Sequence, residues 1–413
     1  MQTLVKAPLG LSGRVVLPSS KSISNRALVI NALAGNDSLP DNVSNCDDTN
    51  VMFRWLSQRP ATVDIGAAGT AMRFSTALLA VSEGEHVITG TERMKNRPIA
   101  VLVDALRQLG SCIDYQGKEG FPPLRIIGDT GLSRGEISLP GNVSSQYISA
   151  LLMIGPVLKN GLKLLLTDEV VSRPYINMTL AMMRDFGAKA DWLSDHIVAV
   201  EHGTYRQRPY FVESDWSAAS YWYEMVALSP AADAEIVLPG LFAKSLQGDS
   251  RGAELFELLG VETTFVGDKD VRLTKRGRVV ERLDADFVGM PDLAQTFAVT
   301  CCMLGVPFHF TGLQSLRIKE TDRIHALEVE LAKLGFILEA RHDSELIWTG
   351  QHTSPQPVAA IDTYEDHRMA MAFAPSALRL GSIRINNPQV VTKSYPGYWD
   401  DLKSVGFQLL QSE

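Results

Sequence analysis

Six times along the chain a polar loop runs into an apolar helix rich in small residues, and this recurrence restricts the fold more than any other feature. The copies are PSSKSISNRALVINALA from Pro18, GAAGTAMRFSTALLAV from Gly66, PGNVSSQYISALLMIG from Pro140, SDWSAASYWYEMVAL from Ser214, GMPDLAQTFAVTCCMLG from Gly289 and TYEDHRMAMAFAPSAL from Thr363. With Ser22, Thr70, Ser145, Ser217, Asp292 and His367 as landmarks, the intervals are 48, 75, 72, 75 and 75 residues. Between the landmarks a second segment recurs, an amphipathic helix that ends in Gly and continues as an alternating run: ALRQLGSCIDY, MMRDFGAKADW, ELLGVETTF, ELAKLGFILEA and DLKSVGFQLL. Gly at that point is the expected left-handed C-cap, and the alternation predicts a strand. In the short first interval the segment is degenerate (VMFRWLSQRPATVDIG), so that copy is expected to lack a strand or two.

Each copy therefore reads as an α/β unit with two helices and several strands, and 413 residues accommodate two or three domains. Six units predict two lobes of three. The helices at Ser149 to Gly155 and Ala294 to Gly305 are apolar all round, so sheets are expected to wrap around central helices. The polar, Pro-containing stretch RQRPYFVESD places the crossing near Glu213, which gives an N-terminal lobe of 20–212 and a C-terminal lobe of 213–413.

Composition excludes other classes. Hydrophobic residues are 45% and charged residues 21%, which rules out disorder as a description of the whole. No window approaches the roughly 18 uninterrupted apolar residues of a membrane span, and the start MQTLVKAPLG has no apolar block for a signal peptide, so the expectation is a soluble cytoplasmic protein. Four cysteines without metal or redox spacing fit small buried hydrophobes in a reducing compartment. The eight histidines form no metal-binding pattern, so no metal is expected.

A net charge of −8 repels nucleic acid and anionic membranes, so any basic function must be local. The polar loops sit at helix N-termini, where free N–H groups favour anions and where capping explains Ser, Thr and Asp. Lys and Arg at a helix start oppose the dipole, yet Lys21, Arg26, Arg73 and Arg368 stand there, and Lys393 follows an apolar strand. Arg93, Lys95 and Arg97 form a second cluster, and Arg317, Lys319 and Arg323 surround Glu320 and Asp322. If equivalent ends of the repeats converge, a negative protein concentrates its cations at one site for a substrate with several phosphate or carboxylate groups.

Nine collinear motifs then carry a resemblance: KSISNR, AGTAMR, RPI, SSQY, SRPY, PDLA, KETDR, DHRMAM and TKSYPGY, spread from Lys21 to Tyr398. Together they closely resemble the 5-enolpyruvylshikimate-3-phosphate synthase family. The resemblance implies two lobes of three βαβαββ-type units, an inside-out α/β barrel with the site in the interlobe cleft, and residues 1–19 joining the C-terminal lobe. It implies transfer of the enolpyruvyl group of phosphoenolpyruvate to the 5-hydroxyl of shikimate 3-phosphate, through a tetrahedral intermediate and with release of phosphate. It implies no metal or organic cofactor, and small anionic substrates as partners of a monomer.

Carried over by position, Lys21, Ser22, Arg26, Ser144, Ser145, Gln146, Ser172, Tyr175, Asp292 and Lys319 are expected to hold shikimate 3-phosphate. Lys21, Gly69, Thr70, Arg97, Gln146, Arg323, Arg368 and Lys393, with Gln146 shared, are expected to hold phosphoenolpyruvate. Asp292 is assigned to the hydroxyl proton, Glu320 to the methylene carbon, and Lys21 to the leaving phosphate or a share of proton transfer. The family pattern is broken at Ala67, Phe74 and Ser315. Two rivals remain: a UDP-N-acetylglucosamine enolpyruvyl transferase, disfavoured because TERMKNR contains no Cys, and a non-catalytic anion-binding homologue, disfavoured because Asp292, Glu320 and Lys21 are all present.

Overall fold

The computed structural model describes residues 1–36, 39–171, 173–356 and 360–412. Its contacts divide the chain into two compact units, Met1–Pro18 with Glu213–Glu413, and Ser19–Val212. Each is organised by three helices that carry the repeat landmarks in their first turns or, for Asp292, in the short turn Pro291–Leu293 just before the helix. In Ser19–Val212 these are Lys21–Leu33, Gly69–Ala80 and Ser145–Ile154, and in the other unit Trp216–Leu228, Ala294–Leu304 and His367–Phe373. Every residue of Gly69–Ala80 and of His367–Phe373 is buried. Such helices have no polar face to offer water, so they must lie at the centre of a layered structure.

Five four-stranded sheets surround these helices with one topology. In the sheet from the second repeat, Thr62–Asp64 pairs in parallel with Gly84–Thr89, which pairs antiparallel with Leu124–Gly128, which pairs antiparallel with Cys112–Tyr115. Strands bury one face: in Leu162–Thr167, Leu162, Leu164 and Leu166 are buried and the residues between them exposed. Two sheets of the C-terminal unit are completed by the chain's first residues. Ser12–Arg14 lies parallel to Glu235–Pro239, and Gln2–Lys6 runs between Ser382–Asn386 and Gln408–Ser412, antiparallel to both. The first repeat retains its helices, Lys21–Leu33 and Asp47–Gln58, but among the described residues it forms no sheet of its own, and Asp41 makes an isolated bridge to Phe211.

The recurrent Gly is a structural signature. Gly110, Gly187, Gly260, Gly335 and Gly406 all follow a helix and have φ between +87° and +103°, where an L side chain is strained. In the degenerate copy the corresponding helix ends on Arg59 at φ +44°. The cysteines depart from expectation at one position: Cys46, Cys301 and Cys302 are buried, whereas Cys112 opens an outer strand and is exposed. Among the described residues no helix is long and apolar enough to cross a membrane.

Two glycines allow conformational strain to be separated from crowding. A Cβ on Gly335, at φ +94°, would lie 2.6 Å from the Thr353 carbonyl oxygen, whereas one on Gly305, at φ +67°, would meet nothing within 4 Å. Gly305→Ala is expected to cost about 1–2 kcal/mol, the left-handed penalty alone, and Gly335→Ala more, as read by urea denaturation. Equal losses would show that Thr353 yields freely.

Candidate functional site

In the C-terminal unit, the segments just before three helices and the turn Pro388–Lys393 bring together a network of buried ion pairs. Arg323, the first residue of the helix Arg323–Lys333, has a side chain only 1% exposed. Its Nε donates to Asp366 Oδ2 at 2.7 Å, its Nη1 to Asp292 Oδ1 at 2.9 Å and its Nη2 to Glu320 Oε2 at 2.9 Å. A lysine could not reach three carboxylates in one plane. Asp366 caps the helix His367–Phe373 by accepting from the Arg368 N–H, so one carboxylate both starts that helix and holds Arg323. Arg368 Nη2 donates to Asp292 Oδ2 at 2.9 Å and lies 3.4 Å from Ser217 Oγ, while its Nη1 lies 3.4 Å from the Tyr221 hydroxyl. Lys393, at the end of the turn Pro388–Lys393, reaches Glu320 Oε1 at 3.0 Å, and Lys319 approaches Asp292 Oδ1 at 3.5 Å.

Burial alone would push the Asp292 carboxyl up, but Arg368, Lys319 and Arg323 hold it well below the usual carboxylate range, against an opposing push from Glu320. Burial likewise works against the Arg323 and Arg368 charges, and their carboxylate partners raise both above the ordinary arginine value. The cations expected from the sequence are therefore present, but they are neutralised within the cluster rather than bare. Their acidic partner Asp366 was not singled out from the sequence. Its position beside His367 and Arg368 in DHRMAM was the available signal. Arg317, in the same sequence cluster as Lys319 and Arg323, instead pairs with Asp322 and Asp343.

The unit Ser19–Val212 gathers the remaining candidates. Gly69 packs directly on Arg97: a Cβ there would sit 2.6 Å from Arg97 Nη1 and 3.0 Å from Cζ. Gln146 donates to Thr70 Oγ1 at 3.1 Å, joining the first turns of two central helices, and Ser144 caps the helix Ser145–Ile154. Ser145 is buried at that helix start, and Tyr175 is half-buried. Lys21 lies 3.8 Å from the buried Asp48 carboxylate, a partner that sequence reasoning missed, although the pair Asp47–Asp48 opens the next helix.

Two arginines expected on electrostatic grounds to meet a ligand are held inside the protein. Arg26 is 2% exposed, and it donates to Thr179 Oγ1 at 2.7 Å, the Ser22 carbonyl at 2.9 Å, Ser149 Oγ at 3.1 Å and the Tyr175 carbonyl at 3.4 Å. Burial lowers its pKa to about 10, with Tyr175 pulling the other way. Arg73 donates to the Gly69 and Pro98 carbonyls at 3.1 Å each, tying the Gly69 turn to the Arg97 loop, and it faces the Tyr147 ring. Phe74, one of the breaks in the family pattern, is buried with its ring 5.3 Å from the Arg26 guanidinium. Ser172 lies outside the described residues.

The comparisons agree with this fold. The family described as EPSP synthase (3-phosphoshikimate 1-carboxyvinyltransferase) matches residues 5–61 and 55–402, and the chain belongs to that family. The chain is similar to the 3-phosphoshikimate 1-carboxyvinyltransferase of Bacteroides fragilis, at 60% identity over 413 residues and the full length of both chains. It is 37% identical to the protein of that name from Photobacterium damsela subsp. piscicida, over 98% of this chain and 100% of that one. Its fold is that of EPSP synthase from Acinetobacter baumannii, with TM-score 0.78, 19% identity and full coverage of both chains.

The Asp292 ion pairs bear on stability with a definite sign. A carboxyl held below its unfolded value of about 3.9 contributes in full above that value, and the contribution is lost as pH falls through the folded value. Asp292→Asn is expected to destabilise the unit by about 3–5 kcal/mol at pH 7 by leaving buried cations uncompensated. The difference from wild type should shrink as pH falls below about 4. A difference independent of pH in acid denaturation curves would show that the ion pairs add no net stability.

Proposed function

We infer that this chain is an enolpyruvyl transferase that joins phosphoenolpyruvate to the 5-hydroxyl of shikimate 3-phosphate and releases phosphate. The observation that carries the reading is the pair of carboxylates bridged by one guanidinium: Arg323 donates to Asp292 and to Glu320 at 2.9 Å each. Addition followed by elimination needs one group to take the hydroxyl proton and another to deliver a proton to the methylene carbon, and two differently partnered carboxylates meet that need. Asp292, beside Lys319, takes the proton as the hydroxyl oxygen bonds to C2 of phosphoenolpyruvate. Glu320 gives a proton to C3, forming the tetrahedral intermediate. In the elimination C3 returns its proton and the C2–O bond to phosphate breaks, with Lys21 supporting the leaving group.

Arg323, Arg368 and Lys393 receive the anionic groups of phosphoenolpyruvate in exchange for their present carboxylate partners. This exchange frees Asp292 and Glu320 for proton traffic: a carboxylate held by three cations is a weak base until those cations turn to another anion. Lys21, Gly69, Thr70, Arg97 and Gln146 complete the donor set. Ser22, Ser144, Ser145, Gln146, Ser172 and Tyr175 serve shikimate 3-phosphate, and Arg26 contributes its charge and fixes Ser22 and Tyr175 through their carbonyls. Cytoplasmic residence and a monomeric state belong to the same proposal, supported by the composition and by four free cysteines.

The test is phosphate release from phosphoenolpyruvate with shikimate 3-phosphate or UDP-N-acetylglucosamine as acceptor; release with the nucleotide sugar alone would overturn the reading. Glu320→Gln is expected to lower kcat by about 10²–10⁴-fold and to suppress deuterium incorporation into the methyl group of the trapped intermediate. Normal labelling in that variant would assign the proton to another group.

Gly69→Ala tests the donor set separately. With Arg97 Nη1 2.6 Å from the added Cβ, the guanidinium must shift, and loss of one charge-assisted hydrogen bond of about 1.5–3 kcal/mol should raise the phosphoenolpyruvate KM by about tenfold or more. The shikimate 3-phosphate KM should change little. The opposite pattern would move Arg97 to the acceptor.

A further inference from the structure

We propose that Asp249 is a positioning residue of the donor subsite: through Ser217 it orients Arg368, and it takes up a proton from solvent when an anionic substrate occupies that guanidinium. The proposal rests on the reading of Arg368 as a phosphoenolpyruvate ligand. Asp249 comes from the short turn Gly248–Arg251 and is only 5% exposed. Its Oδ2 accepts from the Ser217 hydroxyl, and its Oδ1 has no hydrogen-bond partner among the described residues. Ser217 Oγ is 3.4 Å from Arg368 Nη2, which also donates to Asp292 at 2.9 Å. Two carboxylates thus act on one guanidinium, Asp292 directly and Asp249 through a hydroxyl.

The charged groups that face Asp249 are Asp292, Arg368 and Asp215. Burial first and Asp292 second push its carboxyl up to about 7, while Arg368 and the Ser217 hydrogen bond restrain it and Asp215 adds to the rise. The two aspartates are thereby driven in opposite directions, and Asp249 titrates at neutral pH while Asp292 stays ionised. A fully ionised Asp249 would compete with substrate for Arg368, and an unpaired Oδ1 offers a place for a proton. Negative charge arriving on Arg368 raises Asp249 further, so binding and protonation reinforce each other. Substrate affinity is then greatest below about pH 7 and falls as pH rises through that value.

The experiment measures the phosphoenolpyruvate KM at saturating shikimate 3-phosphate from pH 6.5 to 8.5, above the second ionisation of phosphate near 6, for wild type, Asp249→Asn, Ser217→Ala and Arg368→Lys. In wild type the KM is expected to rise by about sixfold across this range if substrate shifts Asp249 by about one unit. Asp249→Asn, a neutral mimic of the protonated form, should hold the low-pH KM throughout. Ser217→Ala removes a hydrogen bond that favours ionised Asp249, so its KM should rise at higher pH than in wild type, and it carries the test if the asparagine variant fails to fold. A flat wild-type profile, or an Asp249→Asn profile that follows a sloping wild type, overturns the proposal. An Arg368→Lys enzyme with the wild-type KM would instead remove Arg368 from the donor subsite and defeat the reading beneath it.

Discussion

Arg323 joins three separate segments of the C-terminal unit through one side chain. Its planar guanidinium meets Asp366 from the sixth repeat, Asp292 from the fifth and Glu320 from the loop beside it. A charge 1% exposed is tolerated only where its hydrogen bonds are satisfied and countercharges lie close. The three segments must therefore arrive in one arrangement or the arginine is left buried without its partners. The same requirement positions Arg368, because its helix is capped by the carboxylate that holds Arg323. Charge pairing in this unit is thus a condition of folding as well as a property of the site.

The sheet architecture follows from a different constraint. A repeat that starts with a parallel edge strand and ends in an antiparallel pair needs four strands, and the fourth and sixth repeats each lack one within their own span. Ser12–Arg14 and Gln2–Lys6 fill those places, which ties the beginning of the chain into the C-terminal unit. The first repeat has no such supply, and its second helix buries Met52 and Trp55. Its degenerate sequence showed this deficit, because the Gly that ends the corresponding helix elsewhere is replaced by Arg59.

Periodicity and glycine placement made the repeat readable because both are local. Arg368 stood out because a cation at a helix start opposes the dipole, and Arg323 because it stands with Arg317 and Lys319 around two acids, whereas the roles given to Asp292 and Glu320 came only from the resemblance of their motifs. Neutralisation of the cations was not readable, since Asp366 lies 43 residues from Arg323 and its role depends on tertiary contact. The internal partners of Arg26 and Arg73 were hidden for the same reason. Their position opposes the helix dipole as a ligand-binding cation would, but the hydrogens of Arg26 go to hydroxyls of two other helices and those of Arg73 to the Gly69 carbonyl of its own helix and the Pro98 carbonyl of a loop. Asp249 gave no signal, because an acid in the first turn of a short helix is common and only its contact with Ser217 distinguishes it.

The two units bury arginine in opposite ways, and the difference bears on chemistry. Arg26 and Arg73 are satisfied by neutral acceptors, which accept their hydrogens without cancelling their charge, and burial lowers the Arg26 pKa accordingly. Arg323 and Arg368 are satisfied by carboxylates, which raise both. A rigid anion such as a phosphate on an unreactive carbon suits the first kind of surround, where charge is fixed and the donors need not move. A substrate that must add a nucleophile, accept a proton and lose phosphate suits the second. There the incoming anion competes with carboxylates for cations, and each carboxylate displaced gains affinity for a proton at the moment one has to be moved. Under the proposed function, the acids of the cluster are held inactive by the same cations that receive the donor, and proton transfer is coupled to substrate binding by charge balance.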